Sequence, residues 1–313
     1  MKEKILRYIK EYKSIIIARH KRPDLDAYGS QFGLYYALKE YFPKKEIYAI
    51  GDSNPLNLFQ EMDTVSKDVA KQSLLIILDT VASQMLEDSV YQNYNKLILI
   101  DHHRNEADIE SDLLYQDVSA SSTAEMVADL LLTWNIPFNY ESARALYYGI
   151  IGDTGRFMYS NTTSKTLAIA SKLVGVGLDI QKLHNEIYTE TMQNKQIKNV
   201  FFNRVSYTDQ LVAYCKNDID FLSQYNLTTN YVSRGLVNQM AGMKEVPIWV
   251  NFTEDYETNK IICEIRSRSI PVLDVAKNHG GGGHLNACGC TLENWEETDE
   301  VLEELNNLIK EEE

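Results

Sequence analysis

The sequence is short of the features that mark several protein classes. Its longest apolar stretches, such as Leu74–Leu78 and Leu97–Ile100, fall far below the roughly 20 residues that a membrane-spanning helix requires. The opening stretch MKEKILRYIKEYKS has the pattern of a charged amphipathic helix. It has neither the apolar core nor the small-residue cleavage site of a secretory signal, so a cytoplasmic protein is expected. Cysteine is scarce: Cys215, Cys263, Cys288 and Cys290 form no C-x-x-C pair. Cys288-x-Cys290 is too isolated for a zinc knuckle, and small buried thiols in a reducing compartment are expected. Positive charge is also short, with 31 Lys and Arg against 45 Asp and Glu, a net charge of −14 and a pI near 5.0. That argues against a broad basic face for long nucleic acid. It leaves room for a short anionic substrate in a local basic pocket, or for a carboxylate-rich site neutralised by metal. No internal repeat is visible. The acidic stretch Asn294–Glu313 reads as a helix with a solvated face.

What is present is ordinary for a globular chain: 313 residues, 44% apolar and 24% charged, enough for two domains with ample cores. Ser14–Ala18, Lys45–Ile50, Leu74–Asp79 and Lys96–Ile100 read as short buried strands. Helical patterns follow at Gln31–Phe42, Thr123–Trp134 (opened by Ser121-Ser122) and Ser142–Ile150. Strands alternating with helices predict an α/β domain with a mostly parallel sheet and helices on both faces, over residues 1–190. Asp179 to about Arg204 is polar and helical, without Gly or Pro, and reads as a linker helix, set at 191–210. Over 211–313 a smaller α+β domain is expected. Its antiparallel strands lie at Leu211–Lys216, Pro247–Glu254 and Lys260–Arg266, and its helices at Val232–Met243 and Val272–Asn278.

The chemistry gathers where strands end. His20-x-x-x-Asp24-x-Asp26 follows the first strand, with Pro23 stiffening the loop. Asp79 follows the third, and Asp101-His102-His103 closes the fourth. Asp153 lies in GIIGDTGRF, where flanking glycines allow close backbone approach. Any one strand-end Asp is most simply a turn or helix-capping residue. Four strand or loop ends all carrying Asp or His point instead to the ligand-binding end of an open α/β sheet. Oxygen donors with some imidazole suit Mn2+ or Mg2+ better than a structural Zn2+ site.

The set HxxxDxD, a strand-end Asp, DHH, GDTGRF and a late GGGGH resembles the DHH phosphoesterase superfamily, in the branch with the DHH-associated C-terminal domain. RPDLDAYGSQFGL and the chain length resemble the NrnA-type nano-RNases, which are oligoribonucleases and phosphoadenosine-phosphate phosphatases. The motifs occur in the expected order across essentially the whole chain. The resemblance implies two divalent ions, Mn2+ with Mg2+ as the alternative, in a site in the cleft between the domains. His20, Asp24 and Asp79 would hold one ion. Asp26, Asp79, His102 and Asp153 would hold the other, with Asp79 bridging. Asp101 would orient His102, and His103 would contact the scissile phosphate or protonate the leaving oxygen. Leu25 stands where the family often has Gly, so its side chain must point away from the ions. The glycine run is by default a flexible loop. In the family it grips a substrate phosphate, which would involve Gly281, Gly282, Gly283, His284 and an upstream Arg, best matched by Arg266. Arg104 reads equally as a phosphate contact or a solvated residue, Arg268 is a weaker match, and His184 reads as structural.

The implied activity is metal-dependent hydrolysis of short RNA, linear dinucleotides and 3′-phosphoadenosine 5′-phosphate, with no long duplex and no membrane as partner. A homodimer is compatible with it. The alternatives are a soluble cyclic-dinucleotide phosphodiesterase or another DHH exonuclease on single-stranded nucleic acid. A family II pyrophosphatase is disfavoured by the glycine run, a long-DNA exonuclease by chain length, and a non-catalytic nucleotide-binding module by the complete ligand set.

Overall fold

Three apolar runs make the centre of the first sheet. The computed structural model describes residues 1–52, 58–86 and 94–312, in two compact units, Met1–Thr189 and Glu190–Glu313. The first unit begins with α1 (Lys2–Glu11), β1 (Ser14–Arg19), α2 (Leu25–Tyr41), β2 (Glu46–Ala49), α3 (Lys67–Ala70) and β3 (Leu74–Leu78). It continues with β4 (Lys96–Asp101), β5 (Leu113–Gln116), α4 (Thr123–Thr133), α5 (Tyr140–Asp153), α6 (Ser164–Val174) and α7 (Ile180–Tyr188). The strands form one parallel sheet in the order β2-β1-β3-β4-β5. Every residue of β1 and β3 is buried, as is all of β4 after Lys96. That is why these strands read as continuous rather than alternating apolar runs.

Side chains still alternate between two cores. Ile15, Ile17, Leu74, Ile76, Ile98 and Ile100 face one way, under α1, α2, α4 and α5. Ile16, Ala18, Leu75, Ile77, Leu97 and Leu99 face the other, where α3 and the connecting segments contribute Val65, Ala70, Val81 and Ile109. The closest helix pair is α2 with α5, and it rests on glycine. A Cβ on Gly29 would lie 2.6 Å from the Ala145 oxygen and the Gly149 nitrogen.

The second unit contains α8 (Met192–Phe202), β6 (Ser206–Tyr207), β7 (Ala213–Asn217), α9 (Ile219–Gln224) and β8 (Ile248–Glu254). After these come β9 (Ile261–Ser267), α10 (Leu273–Asn278), β10 (Gly282–His284), β11 (Ala287–Leu292) and α11 (Glu297–Glu312). Its sheet runs β10-β11-β9-β8-β7-β6. The expectation of antiparallel strands is corrected at one place: β7 pairs with β8 in parallel, and the other pairs are antiparallel. Helix was also expected over Val232–Met243. Residues Tyr231–Gly235 form a π-helical turn and Val237–Met240 a 3-10 turn. The buried Asn251 amide donates to the Val232 and Ser233 carbonyls, which diverts them from a regular helix.

The continuous helix expected from Asp179 to Arg204 is two helices, capped separately by Asp179 and Thr191. The residues expected as a linker helix over 191–210 include α8, whose Ile197 and Phe201 are buried in the second unit's own core. Of the expected acidic helix Asn294–Glu313, α11 covers Glu297–Glu312, and Glu313 lies outside the described residues. All four cysteines are free and buried.

Candidate active site

Strand order explains the convergence. β1, β3 and β4 are neighbours, so their C-terminal ends bring His20, Asp79 and Asp101-His102-His103 to one edge of the sheet. Asp24 caps α2 by accepting from the Asp26 and Ala27 amides at 2.9 and 3.0 Å, which fixes the loop between β1 and Asp26. Asp153 is the last residue of α5.

The side chains form three overlapping groups with ligand atoms within 4.8 Å: His20–Asp24–Asp79, Asp79–His102–His103 and Asp26–His102–Asp153. Asp79 belongs to two of them, and so does His102. Asp79 Oδ2 lies 3.4 Å from His20 Nε2, and Oδ1 lies 3.7 Å from both His102 Nε2 and His103 Nδ1. His102 Nε2 is 3.1 Å from Asp153 Oδ2 and 3.8 Å from Asp26 Oδ2. Asp79 has φ +66°, a left-handed conformation that costs a non-glycine residue about 1–3 kcal/mol and concentrates at functional sites.

Two supports of these carboxylates leave no signature at the strand ends. The α4 N-terminus holds Asp26, with the Thr123 and Ala124 amides donating to its two oxygens at 2.7 and 2.8 Å. Thr123 Oγ1 donates to Asp79 Oδ1 at 2.9 Å. The Ser121-Ser122 pair marked that helix start, but nothing in it announced which carboxylates the helix would serve. The Asn161 amide likewise ties the Asp153 carbonyl to that of Ser121.

Gly149 and Gly152 do what the GIIGD pattern predicted. A Cβ on Gly149 would lie 2.5 Å from Ala124 Cβ and 2.9 Å from Asp26 Oδ1, and one on Gly152 would lie 2.8 Å from Leu25 Cβ. Leu25 therefore packs over a glycine on α5. Gly149→Ala is expected to destabilise the chain by about 1–3 kcal/mol through overpacking. Urea denaturation checks this, and an unchanged midpoint would contradict the packing argument.

Electrostatically the cluster is short of positive charge. Among the described residues, none of Asp24, Asp26, Asp79 or Asp153 pairs with Lys or Arg. Burial, together with Asp79, Asp153 and Asp24, pushes Asp26 well above the ordinary carboxylate range, against the Ala124 N–H bond. Burial also raises Asp153, to about 6, with Asp24 and Asp79 adding to it and His102 opposing. Burial alone would lower His20 and His102, but both are raised to about 9. The Asp79 carboxylate beside His20, the Asp153 carboxylate beside His102 and the charges of the surrounding carboxylates outweigh it. Buried like charges of this kind call for protons or for a cation. Carboxylates with imidazoles are donors that suit a divalent ion, so the residues present fit one.

One expected role is corrected. Asp101 does not hydrogen-bond to His102; its Oδ1 accepts from His103 Nδ1 at 2.8 Å. Residues two apart at a strand end share a side, whereas neighbours alternate. Arg104 is exposed. His184 Nε2 lies 3.2 Å from Tyr147 Oη.

Arg266 and the glycine run with His284, also expected to hold a phosphate, belong to the second unit, and the glycine run is corrected too. Gly282–His284 is a strand, not a loop, paired with β11. The Gly280 and Gly281 amides donate to the Lys277 and Ala276 carbonyls and close α10. Gly281 therefore contributes no free N–H to an anion nest. Glycine is needed there for closeness: a Gly281 Cβ would lie 2.1 Å from the Gly289 oxygen.

Residues 14–150 match the DHH family, N-terminal domain, and residues 217–311 match the DHHA1 domain. The bifunctional oligoribonuclease and PAP phosphatase NrnA of Bacillus subtilis is 36% identical over 319 aligned positions, covering 100% of both chains. This chain belongs to the DHH family. A second DHH relative, the probable bifunctional oligoribonuclease and PAP phosphatase NrnA of Streptococcus mutans, is 36% identical over 307 positions, 98% of each chain. The DHH fold is shared with an exopolyphosphatase-related protein from Bacteroides fragilis. That crystal structure matches with a TM-score of 0.87 at 24% identity, over 99% of this chain and 97% of the other. In this DHH chain the triplet is Asp101-His102-His103 at the end of β4.

Proposed function

We propose that this chain is a metal-dependent phosphoesterase. It hydrolyses short oligoribonucleotides and linear dinucleotides to mononucleotides, and 3′-phosphoadenosine 5′-phosphate to AMP. One observation carries the reading: four carboxylates and three imidazoles share one cluster, largely buried apart from the exposed Asp24, in a chain 36% identical over its full length to an NrnA. Divalent ions, two Mn2+ in this reading, would be held by His20, Asp24 and Asp79 and by Asp26, Asp79, His102 and Asp153, and would supply Lewis acidity and a lowered water pKa.

The chain's own residues do the rest. The α4 amides and Thr123 Oγ1 hold Asp26 and Asp79 in place, so little reorganisation accompanies charge development. Asp101 fixes His103 through Nδ1. Burial opposes the charged imidazole, but the Asp101 hydrogen bond and the Asp79 charge raise His103 above its ordinary value. A protonated, oriented His103 is suited to donate to the leaving oxygen. Arg266 and His284 are assigned to the substrate phosphate, and recognition by so few cations agrees with a net charge of −14. No helix among the described residues is long and apolar enough to cross a membrane, and a cytoplasmic enzyme is the reading adopted.

The test is a turnover assay of the purified protein with Mn2+ on an RNA length series, 3′-phosphoadenosine 5′-phosphate, cyclic dinucleotides and pyrophosphate. Dinucleotides and the bisphosphate are expected to turn over fastest, and long duplexes negligibly. Turnover of pyrophosphate alone would overturn the reading, and preference for cyclic dinucleotides would redirect it.

A further inference from the structure

In the second unit, Arg234 meets Arg266 through one buried carboxylate. Glu264, 7% exposed, binds Arg234 Nε with Oε1 at 2.9 Å and Arg266 Nη2 with Oε2 at 3.0 Å. One carboxylate between two guanidiniums leaves an excess charge of about +1. The Arg234 side chain is nevertheless 60% exposed.

Away from β8, whose Asn251 and Trp249 lie opposite Glu264 and Arg266, the sheet face beside this pair has little on it. Glu264 and Arg266 are two apart in β9 and so point the same way. Glu264 lies opposite Gly289 in β11, which lies opposite Gly282 in β10. Arg266 lies opposite Ala287, which lies opposite His284. The first row thus carries no side chain beyond Glu264. The second has only an alanine methyl between Arg266 and His284. The other face of these strands is core, with Cys263, Ile265, Cys288 and Cys290 under α10 and α11. A Cβ on Gly289 would lie 2.7 Å from the Cys263 oxygen and 3.4 Å from Glu264 Cδ, so the bare floor is built in.

Arg234 is held here by buried machinery. It sits on the π-helical turn Tyr231–Gly235. Asn251 Nδ2 donates to the Val232 and Ser233 carbonyls at 2.7 and 3.0 Å, and Asn217 Nδ2 donates to Asn251 Oδ1 at 2.8 Å. Both asparagines are fully buried. Such turns recur at functional sites. A stabilising role alone explains the arrangement poorly. Arg266 already partners Glu264, and an ion pair to a largely exposed Arg adds only about 0–1 kcal/mol.

We propose that Arg234 is a second phosphate-binding arginine beside Arg266, with Glu264 the positioning residue that holds both. The ligand class is a terminal phosphomonoester of a nucleotide, whose second charge, compared with a bridging diester, calls for a second guanidinium. For activity this rests on the proposed function; for binding it does not.

The test uses the full-length protein with EDTA and titrates adenosine 5′-monophosphate and adenosine into wild type and Arg234→Gln by calorimetry. Wild type is expected to prefer the monophosphate. Arg234→Gln should weaken monophosphate binding about tenfold, the scale of one charge-assisted hydrogen bond, and leave adenosine unchanged. Equal loss for both ligands, no loss, or no preference in wild type would overturn the proposal. Should Arg234→Gln fail to fold, Arg234→Lys keeps the charge without the fork and should cost about threefold on the monophosphate alone. In a parallel assay with Mn2+, Arg234→Gln should raise KM for a 5′-phosphorylated dinucleotide but not for its 5′-hydroxyl counterpart. A wild type that hydrolyses neither would end the proposed function while the binding result still decides Arg234.

Discussion

Replacing Asp79 by alanine should abolish phosphoester hydrolysis, with a fall in kcat/KM of at least about 10³-fold, the upper end of what one preorganised electrostatic group contributes. The reason is its position. Among the described residues, Asp79 is the one carboxylate within reach of His20, His102 and His103 together, and Thr123 Oγ1 fixes it. Burial alone would raise its carboxyl. The neighbouring His20 and the charges of His103 and His102 hold it well below the usual range instead. In the proposed two-ion reading it would be the carboxylate shared by both ions. Asp79→Ala should also lower bound Mn2+, measured by equilibrium dialysis with metal analysis, below that of wild type. Near-full Mn2+-dependent turnover by Asp79→Ala would sink the two-ion reading.

Stripped of metal, the first unit should lose thermal stability as pH rises from about 6.5 to 9. His20 and His102 have folded pKa values of about 9, above the ordinary 6.5, because carboxylate partners outweigh burial. A group raised on folding binds its proton more tightly in the native state. Its stabilisation is complete below the unfolded pKa and is lost as pH climbs through the folded one. Each imidazole accounts for roughly 3 kcal/mol. Asp153, raised from 3.8 to about 6 by burial first and Asp24 and Asp79 next, acts with the same sign in a lower window. Coupling among these groups reduces the sum, so the melting temperature in EDTA should fall by about 5–10 °C across that range. With Mn2+ the fall should be smaller, because a cation then balances the carboxylates that protons balanced before. Melting curves with EDTA and with Mn2+ at several pH values give the comparison. A flat or rising EDTA series would refute it.

What could be read from the sequence was whatever depends on composition over a short window. The interiors of β1, β3 and β4 are apolar because both faces are covered, and a polar residue breaks each run: Arg19 closing β1, Asp79 just after β3 and Asp101 closing β4. β5 was missed because its four residues are mostly half-exposed, and β10 because glycine has poor strand propensity. The Asn251 contact that breaks the expected helix over Val232–Met243 spans 18 or more residues, and no local pattern announces it. The same holds for the α4 amides on Asp26, which lie 97 and 98 residues away. Arg234 went unnoticed because nothing beside it in the chain is chemically unusual. Its partner Glu264 is 30 residues on.

The uniform burial of the central strands leaves their alignment open to slippage. In a strand reading Leu-Leu-Ile-Ile-Leu, a one-residue shift would exchange one apolar set for another of nearly equal size. Hydrophobicity alone therefore cannot hold β3 against β1 in the pairing Ile15 to Leu74. The polar ends must do it. At the start of the strands Ser73 Oγ donates to Ser14 Oγ at 2.8 Å, deep in the interior. At the far end a shift would carry Asp79 about 3.3 Å along the strand and turn it to the wrong side of the sheet, away from His20 and Thr123. The residues assigned to chemistry thus also act as alignment marks for the sheet that presents them.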